Sequence, residues 1–423
     1  MSPSPPSPSG YLQVLRHNAN FRNLWLGQVV SLFGDWFNLI ASAALIAHLS
    51  DSAFAIGGLF VVRMLAPFFI SPLAGIWTDR YDRKKILIIS DLLRALIVMG
   101  FLVVREPGQL WLLYVLTGLQ LAMSGVFYPA RNAILPEVVT SRELGAANAI
   151  SSITWSTMLA FGAALGGLAA GYWGIYPAFV IDSFTFVLSA FIIARIRIEP
   201  SESSPPATNQ IGSRPFLSDF MDGVRFLIRN PDLLSVSLLK PVAALTIAGA
   251  SQVIQVRIAE SVFVMGEGGG FGLGLIYAAI GLGTGVGPIC VRHFTHDREK
   301  PMRVAIILAY IIAAIGLGTV GTLKSLVVVL LGMFLRGFGS GVNWVFSTQL
   351  LLQTIPNRFR GRVFSTEYAL LTLMNATGAA TAGWVLDNTT LGLPSALFGL
   401  AALTLAAGLL WAAHTYRYSR SIP

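Results

Sequence analysis

Charge is scarce in this sequence, and so is cysteine. Only 12% of the 423 residues are Asp, Glu, Lys or Arg, whereas 54% are hydrophobic, and the mean hydropathy is +0.69. A soluble domain carries about twice that share of charged residues, so the composition excludes an ordinary water-soluble globule. The one cysteine, Cys290, excludes a disulfide within the chain but indicates nothing about the compartment.

Sequence patterns of catalytic and nucleotide-binding sites are missing as well. Residues 266–274 are rich in glycine, but no Gly-Lys-Ser/Thr follows them and we expect them in an external loop, so they do not match a phosphate-binding loop. No serine in the apolar segments lies in a Gly-x-Ser-x-Gly setting, which argues against a hydrolase. His293, His296 and Asp297 have a spacing that could hold a metal, but such loop residues are more often simply hydrated. We therefore expect no catalytic residue, no metal site and no cofactor.

The apolar residues are gathered in blocks of about 20, the length that crosses a bilayer as a helix. We predict twelve membrane spans, at residues 24–48, 55–77, 86–104, 110–133, 145–171, 175–195, 233–257, 270–292, 304–322, 326–349, 363–386 and 394–413. Residues 1–10 are rich in Pro and Ser and lack the apolar core of a cleavable signal peptide, so we expect the first span to direct insertion. The predicted fold class is an all-α membrane protein.

The basic residues predict the orientation. Lys and Arg residues that flank membrane spans stay in the cytoplasm. Nearly all of them fall on the side of the two termini, and only Arg105, Lys324 and Arg257 fall near the other side. We therefore expect both termini in the cytoplasm. The same rule explains the net charge of +9, so we expect no nucleic-acid partner.

A charged hairpin at residues 75–85 joins the second span to the third. It follows the pattern Gly, three residues, Asp, Arg, one residue, usually Gly, and then basic residues. The matching residues are Gly75, Asp79, Arg80, Arg83, Lys84 and Lys85, and Asp82 stands where the pattern more often has Gly. The hairpin resembles the signature loop of the major facilitator superfamily, at the junction where that family carries it. The resemblance implies twelve helices in two pseudo-symmetric six-helix bundles, and we expect a monomer in the inner membrane of a bacterium.

An internal repeat supports two halves with a site between them at mid-membrane. Pro136 and Pro356 each precede an arginine by six residues, Arg142 and Arg362, after the fourth and tenth spans. Gly287 and Arg292 repeat the spacing of Gly75 and Arg80, with Val291 in place of the aspartate. The predicted segments are a disordered tail (1–23), a first bundle (24–198), a linker (199–231), a second bundle (232–414) and a cytoplasmic tail (415–423).

The linker contains an amphipathic stretch. Phe216, Phe220, Val224 and Leu227 recur at helical spacing, which predicts a helix lying on the cytoplasmic membrane surface. The alternative is a clamp on a soluble partner.

Polar side chains recur at helical spacing on the first, fourth, seventh and tenth spans, the helices that line the central cavity in the major facilitator superfamily. A charge at the bilayer centre costs about 2.5 to 3.5 kcal/mol, so intramembrane charges often mark function. The candidate cavity residues are Gln28, Ser31, Asp35, Asn38, Gln120, Ser124, Lys240, Gln255, Arg336, Asn343 and, on the eleventh span, Glu367. The alternative is that such residues only join helices together. Asp35 is our first choice for a proton acceptor and Glu367 our second.

Other intramembrane charges are weaker candidates. Arg63 and Asp182, like Glu367, are expected nearer a membrane face, where headgroups or water could satisfy them. Asp91 and Arg94, three residues apart, predict a structural ion pair close to the cytoplasmic side.

The signature loop implies a conformational latch. In the family it closes the cytoplasmic side when the protein faces outward. The matching groups here are Asp79 and Arg83, and the helix that begins near Gly361 and Arg362 is the expected partner. The alternative is that the loop serves only as a topology signal.

Further motifs narrow the expected function. Gly-Asp-Trp around Asp35, together with residues 91–95 and 360–363, resembles the bacterial efflux branch that contains macrolide and siderophore exporters, and lysophospholipid flippases are similar. Four glycines of the fifth span loosely resemble the motif of proton-exchanging members, although close helix packing explains them equally well: Gly162, Gly166, Gly167 and Gly171. We expect a secondary transporter that exports an amphipathic or hydrophobic small molecule by proton antiport, with the proton gradient as its energy source. The alternatives are a lipid flippase and a non-transporting membrane scaffold.

Overall fold

The computed structural model describes residues 11–140, 142–197, 221, 224–295 and 298–421. A short helix, Tyr11–His17, precedes twelve long helical segments in this part of the chain. The uninterrupted helices are α1 (Ala19–Leu49), α2 (Ala53–Arg80), α3 (Arg83–Met99), α4 (Leu110–Val138), α6 (Ile175–Ala194), α8 (Gly270–Thr295), α9 (Glu299–Gly321), α10 (Leu326–Thr354), α11 (Asn357–Asn388) and α12 (Leu393–Ser421).

Two helices contain π-helical turns. Helix α5 consists of Leu144–Thr157, the π turn Met158–Gly162, and Ala163–Trp173. Helix α7 consists of Pro231–Ala243, the π turn Ala244–Gly249, Ala250–Arg257, and a final π turn, Ile258–Val262. Such turns leave backbone carbonyls free for other donors and often occur at functional sites.

The composition of the helices is that of membrane spans. Within the described residues, eleven are long and apolar enough to cross a bilayer, and α5 is not among these eleven. Large apolar side chains also project outward all around the molecule, among them Phe69, Leu96, Tyr172, Phe294 and Leu410. The predicted all-α membrane fold class is confirmed.

The helices form two six-helix bundles, α1–α6 and α7–α12. In the first, α1 packs on α6, α2 on α4, and α3 on both α4 and α6; in the second, α9 packs on α10 and α12, and α8 packs on α10. The bundles meet mainly along two seams, α2 with α11 and α5 with α8. We call the face where α1 begins and α12 ends the terminal face, and the other the opposite face.

The α2–α11 seam is closed at the opposite face by a carboxylate that caps a helix. The Asp387 side chain, near the end of α11, accepts hydrogen bonds from Ser52 Oγ (2.6 Å) and from the backbone N–H groups of Ala53 (2.8 Å) and Phe54 (2.9 Å). These groups form the start of α2, whose helix dipole favours a negative charge. Asp387 therefore joins the two bundles directly.

The α5–α8 seam is closed by glycines. A Cβ atom built on Gly167 would lie 2.6 Å from Gly274 Cα, so the two backbones touch. The expectation that residues 266–274 form an external loop is wrong for their second part, because α8 begins at Gly270. Gly274 serves helix packing, and so does Gly171, whose Cβ would lie 2.8 Å from Phe271 Cβ.

The hairpin between α2 and α3 turns without the glycine usual in the signature loop. Asp82 has a φ of −57°, which any residue adopts, and its side chain accepts a hydrogen bond from Lys85 N at 3.1 Å. Asp82 is thus the N-cap of α3.

The described end of the linker packs on protein. Leu227 is buried in the core of the second bundle, and Phe226 stacks on Phe359 with ring centres 4.2 Å apart. The expectation that Leu227 faces lipid is therefore wrong, because α11 covers this part of the linker. Phe216 and Phe220 lie outside the described residues.

Candidate functional site

A cavity of about 920 Å³ lies between the two bundles. Its wall reaches from Leu39 and Phe60, near the middle of α1 and α2, to Arg131 and Asn148, near the ends of α4 and α5 at the terminal face. Its volume suits a small organic molecule. Since the seams close the opposite face, the cavity extends toward the terminal face.

The predicted cavity residues divide into two groups. Those that line the cavity are Gln28, Asp35, Ser124, Lys240 and Asn343. Those that are buried within the bundles are Ser31, Asn38, Gln120, Gln255 and Arg336. Glu367 lines a neighbouring side cavity.

Helix geometry explains the division on α1. Counted from Gln28 at about 100° per residue, the lining residues Leu32, Asp35, Trp36 and Leu39 fall between about −20° and +80°. Ser31, Asn38 and Ser42 fall between about −40° and −80° and therefore face the first bundle. Asn38 accepts a hydrogen bond there from Ser42 Oγ, at 3.2 Å. The polar stripe is thus only partly a cavity surface.

Asp35 lies where the cavity wall meets a buried charge network. Its side chain is 17% exposed, and Oδ2 lies 3.7 Å from Arg94 Nη1. Its other oxygen, Oδ1, is buried and has no hydrogen-bond partner in the described part of the chain. Arg94 also pairs with Asp91 and donates to Ser124 Oγ at 3.3 Å. One oxygen of Asp35 is therefore not committed to a donor.

The same network is held by four helices and two aromatic rings. Asp91 Oδ2 accepts a hydrogen bond from Ser189 Oγ on α6 at 2.6 Å. The guanidinium carbon of Arg94 lies 4.6 Å from the ring centre of Phe127 and 4.3 Å from that of Phe186. The predicted Asp91–Arg94 ion pair is present. The pair also reaches the cavity wall, because Arg94 contacts Asp35.

Two arginines without a carboxylate partner lie near the closed end of the cavity. Arg63 lines the cavity with Asp35, and it forms no ion pair in the described part of the chain. It is therefore not at a membrane face, where we expected it. Arg336 donates from Nη2 to the carbonyl of Ile247 at 3.1 Å, within the π turn of α7. The buried hydroxyl of Tyr277 has no hydrogen-bond partner among the described residues, and Tyr277 interacts electrostatically with both arginines.

The second bundle contributes a simpler ion pair. Lys240 Nζ, on α7, donates to Glu367 Oε2, on α11, at 3.1 Å. We expected headgroups or water to satisfy Glu367, but its side chain is 4% exposed and is bound to the cavity residue Lys240. Asp182 is likewise fully buried, beside Gly34.

Several cavity residues escaped the sequence analysis. They include Arg131, Trp36, Tyr277, Gln252 and Asn375. Arg131 counted as a loop charge, but α4 continues to Val138, five residues beyond the predicted end of the span, and Arg131 is buried beside Ser151. The aromatic and amide residues carried no signal in the sequence.

The latch residues lie at the terminal face. Gly75 and Asp79 are in the last turns of α2, and Arg80 is its final residue. Arg83 pairs with Glu137 and donates to the carbonyl of Ala133 at 3.2 Å, both on α4. Lys84 Nζ donates to the carbonyl of Ile196 at 2.7 Å, so Arg83 and Lys84 both bind their own half. Gly361 and Arg362 lie in the first turns of α11, as the prediction requires of the partner helix.

The described residues contain no cluster of three His, Cys, Asp or Glu side chains that could hold a metal. Two of the three residues weighed as ligands, His296 and Asp297, lie outside the described part of the chain.

Comparison with known proteins places the cavity in context. The family model described as Major Facilitator Superfamily matches residues 24–379. The chain is 27% identical over 384 residues to the uncharacterized MFS-type transporter YfiS of Bacillus subtilis (strain 168), covering 88% of this chain and 87% of that protein. It is 25% identical over 365 residues to the putative bacilysin exporter BacE of Bacillus amyloliquefaciens, covering 85% and 87%. It is 24% identical over 378 residues to the enterobactin exporter EntS of Salmonella choleraesuis (strain SC-B67), covering 87% and 85%.

Solved structures are similar over nearly the whole chain. The crystal structure of a D-xylose-proton symporter has a TM-score of 0.70 at 15% identity, covering 93% of this chain and 96% of that one. A bacterial homolog of the human lysosomal transporter Spinster, in an inward-facing and unoccupied conformation, has a TM-score of 0.68 at 17% identity, covering 96% and 98%. At such low identity these likenesses establish the fold alone.

Proposed function

Because the chain belongs to the major facilitator superfamily, we propose that it is a secondary active transporter that exports an amphipathic or hydrophobic small molecule in exchange for protons. Its similarity to proteins named as bacilysin and enterobactin exporters supports the outward direction. The mixture of aromatic, aliphatic and polar side chains around the cavity, such as Trp36, Leu39 and Asn343, supports an amphipathic cargo.

The observation that carries the proposal is the position of Asp35. It is a carboxylate on the wall of the central cavity, with one oxygen free of hydrogen-bond partners in the described residues. Its nearest cation, Arg94, is already paired with Asp91. A proton that arrives through the cavity therefore finds an uncommitted acceptor.

The expected driving force is sufficient for export. A proton that moves down about 100 mV releases about 2.3 kcal/mol, and one pH unit adds about 1.36 kcal/mol. Together they support a concentration ratio of about 500 for a neutral cargo exchanged one for one, at about 1.4 kcal/mol per tenfold.

On the distribution of Lys and Arg, we propose that the terminal face lies in the cytoplasm of a bacterium. The cavity then faces inward, and the closed seams face outward. In this state Arg83 is bound to Glu137 of its own half. The latch would form when the terminal face closes, as Asp79 and Arg83 meet the start of α11 near Arg362, and its loss would impair switching more than binding.

The test is the substitution Asp35→Asn, which keeps the shape of the side chain and removes its charge. Everted membrane vesicles are acidified by respiration, amphipathic compounds are added one at a time, and proton efflux is followed as the recovery of acridine-orange fluorescence. We expect compounds that produce recovery with the wild-type protein to produce none with Asp35→Asn. Asp51→Asn, in the exposed loop between α1 and α2, is the matched control and should behave like the wild type.

Proton exchange by Asp35→Asn at the wild-type rate would overturn the proposal. Movement of a fluorescent lysophospholipid that needs no gradient, with no proton response to any compound, would favour the lipid flippase instead. A scaffold would give neither signal.

A further inference from the structure

The side cavity, of about 490 Å³, adjoins the central cavity. The residues Lys240, Trp344, Tyr368 and Leu371 line both. Phe364 and Glu367 complete the side cavity between α7, α10 and α11. A group of the cargo could therefore enter it without leaving the central cavity.

A positively charged side chain of the protein already occupies the space between the two cavities. The ammonium group of Lys240 lies 3.1 Å from Glu367 Oε2, 5.0 Å from the ring centre of Trp344 and 5.8 Å from that of Phe364. One carboxylate and two aromatic faces are the groups that bind organic ammonium ions in proteins. We call Glu367, Trp344 and Phe364 the ammonium box.

The box has an unused acceptor. Glu367 Oε1 is buried and has no hydrogen-bond partner in the described part of the chain. A buried carboxylate oxygen without a donor is costly, so the single ammonium of Lys240 does not satisfy the carboxylate. A second N–H donor or positive charge would be bound favourably there.

The ammonium group of Lys240 can move away from Glu367. Its ammonium is at the end of a flexible four-carbon stem, and the residue also lines the larger central cavity, where a displaced ammonium has room. Arg94, by contrast, is held by several partners on three helices. Of these two ion pairs beside the central cavity, Lys240–Glu367 is therefore the replaceable one.

We propose that the ammonium box binds the positively charged group of the cargo, and that Lys240 is a resident competitor which the cargo displaces. The inference rests on the proposed transport function and narrows the substrate class to amphipathic organic cations. Two positive groups then compete for one carboxylate, so the box holds Lys240 when it is empty of cargo and releases it when cargo binds.

The test compares two probes of nearly the same shape and opposite charge, tetraphenylphosphonium and tetraphenylborate. Their binding to the purified full-length protein in detergent is measured by equilibrium dialysis, without any gradient. We expect the wild type to bind the cation more tightly than the anion. Glu367→Gln should weaken cation binding by about tenfold or more, and Trp344→Leu by about two- to fivefold.

The decisive variant is Lys240→Gln, because removal of a competitor should tighten cation binding by about three- to tenfold. A merely structural ion pair predicts the reverse, a weaker site in both Lys240→Gln and Glu367→Gln. Glu260→Gln is the control. Glu260 also lies on α7, but it is paired with Arg257 at the opposite face, so this substitution should leave cation binding unchanged. Thermal unfolding of each variant in the same detergent identifies any that fail to fold.

Two outcomes would overturn the inference. Tighter binding of tetraphenylborate, lost in Lys240→Gln, would assign the pair to an anionic cargo. If the Glu367→Gln variant is folded and binds the cation as tightly as the wild type does, the ammonium box is not the cation-binding site. Asp35→Asn separates this proposal from proton antiport. If this variant binds the cation normally and still exchanges protons, the antiport proposal is wrong, whereas the proposed role of the ammonium box is unaffected.

Discussion

The two six-helix bundles hold the ion pairs beside the central cavity in opposite ways. In the first, Arg94 is fully buried, contacts Asp91, Asp35 and Ser124, and lies between two aromatic rings. In the second, Lys240 has one carboxylate partner and borders two cavities. The first arrangement is a fixed support that orients Asp35 at the cavity wall. The second is a pair that another ion can replace.

Of the substitutions that test this comparison, we expect the one in the first bundle, Arg94→Gln, to lower stability most. Arg94→Gln leaves two carboxylates, Asp91 and Asp35, buried without their cation. Breaking a buried ion pair from one side costs about 3 to 5 kcal/mol, so we expect a large fall in the thermal unfolding temperature of the protein in detergent.

Asp91→Asn combined with Arg94→Gln is the control, because it also removes the charge of Asp91, the fully buried carboxylate of the two, and leaves charged only Asp35, which borders the cavity. This double variant should recover most of the lost stability. If Arg94→Gln unfolds at the wild-type temperature, the network around Arg94 does not stabilise the first bundle, and the proposed difference between the two ion pairs is wrong.

A smaller effect is expected in the second bundle. Lys240→Gln and Glu367→Gln should each lower stability by about 1 to 2 kcal/mol, less than in a closed core because the pair borders a cavity that water can enter. The double variant should lose less than the sum of the two single losses, since the partners touch. The measurement is the same unfolding series, and a loss as large as that of Arg94→Gln would show that the two pairs are equally fixed.

The smallest effect is expected at Asp182, a fully buried carboxylate of the first bundle. Its side-chain hydrogen bond in the described residues is with Asn38 rather than with a cation. Asn has nearly the same shape and no charge to desolvate, so Asp182→Asn should change stability by less than about 1 kcal/mol and leave transport unchanged. A large loss in the unfolding assay would mean that Asp182 belongs to the network around Arg94.

The fold was accessible from the sequence because it depends on local patterns. Blocks of apolar residues separated by charged turns predicted the spans, and the signature at Gly75–Lys85 identified the family. The π turn at Met158–Gly162 was not predictable, because its residues are those of an ordinary apolar helix. Nor was the capping of α2 by Asp387, which depends on a contact between residues more than 330 positions apart.

The candidate site was accessible only in part. Helical spacing found the polar stripe of α1, but rotation of that helix decides that Gln28 and Asp35 face the cavity while Ser31 and Asn38 do not. Rotation is set by packing against other helices and leaves no mark in a single sequence. The pairing of Lys240 with Glu367 likewise joins positions 127 residues apart.

The α5–α8 seam also bears on how such a molecule can acquire new cargoes. Where Gly167 contacts Gly274, the two backbones pack directly on each other, and neither residue has a charged side chain whose interactions would change with pH or salt. This helix crossing can act as a pivot between the two bundles, and its packing depends on shape alone. Under the proposed transport function, substitutions in the cavity lining leave this pivot unchanged, so cargo recognition and the movement of the two bundles can evolve separately.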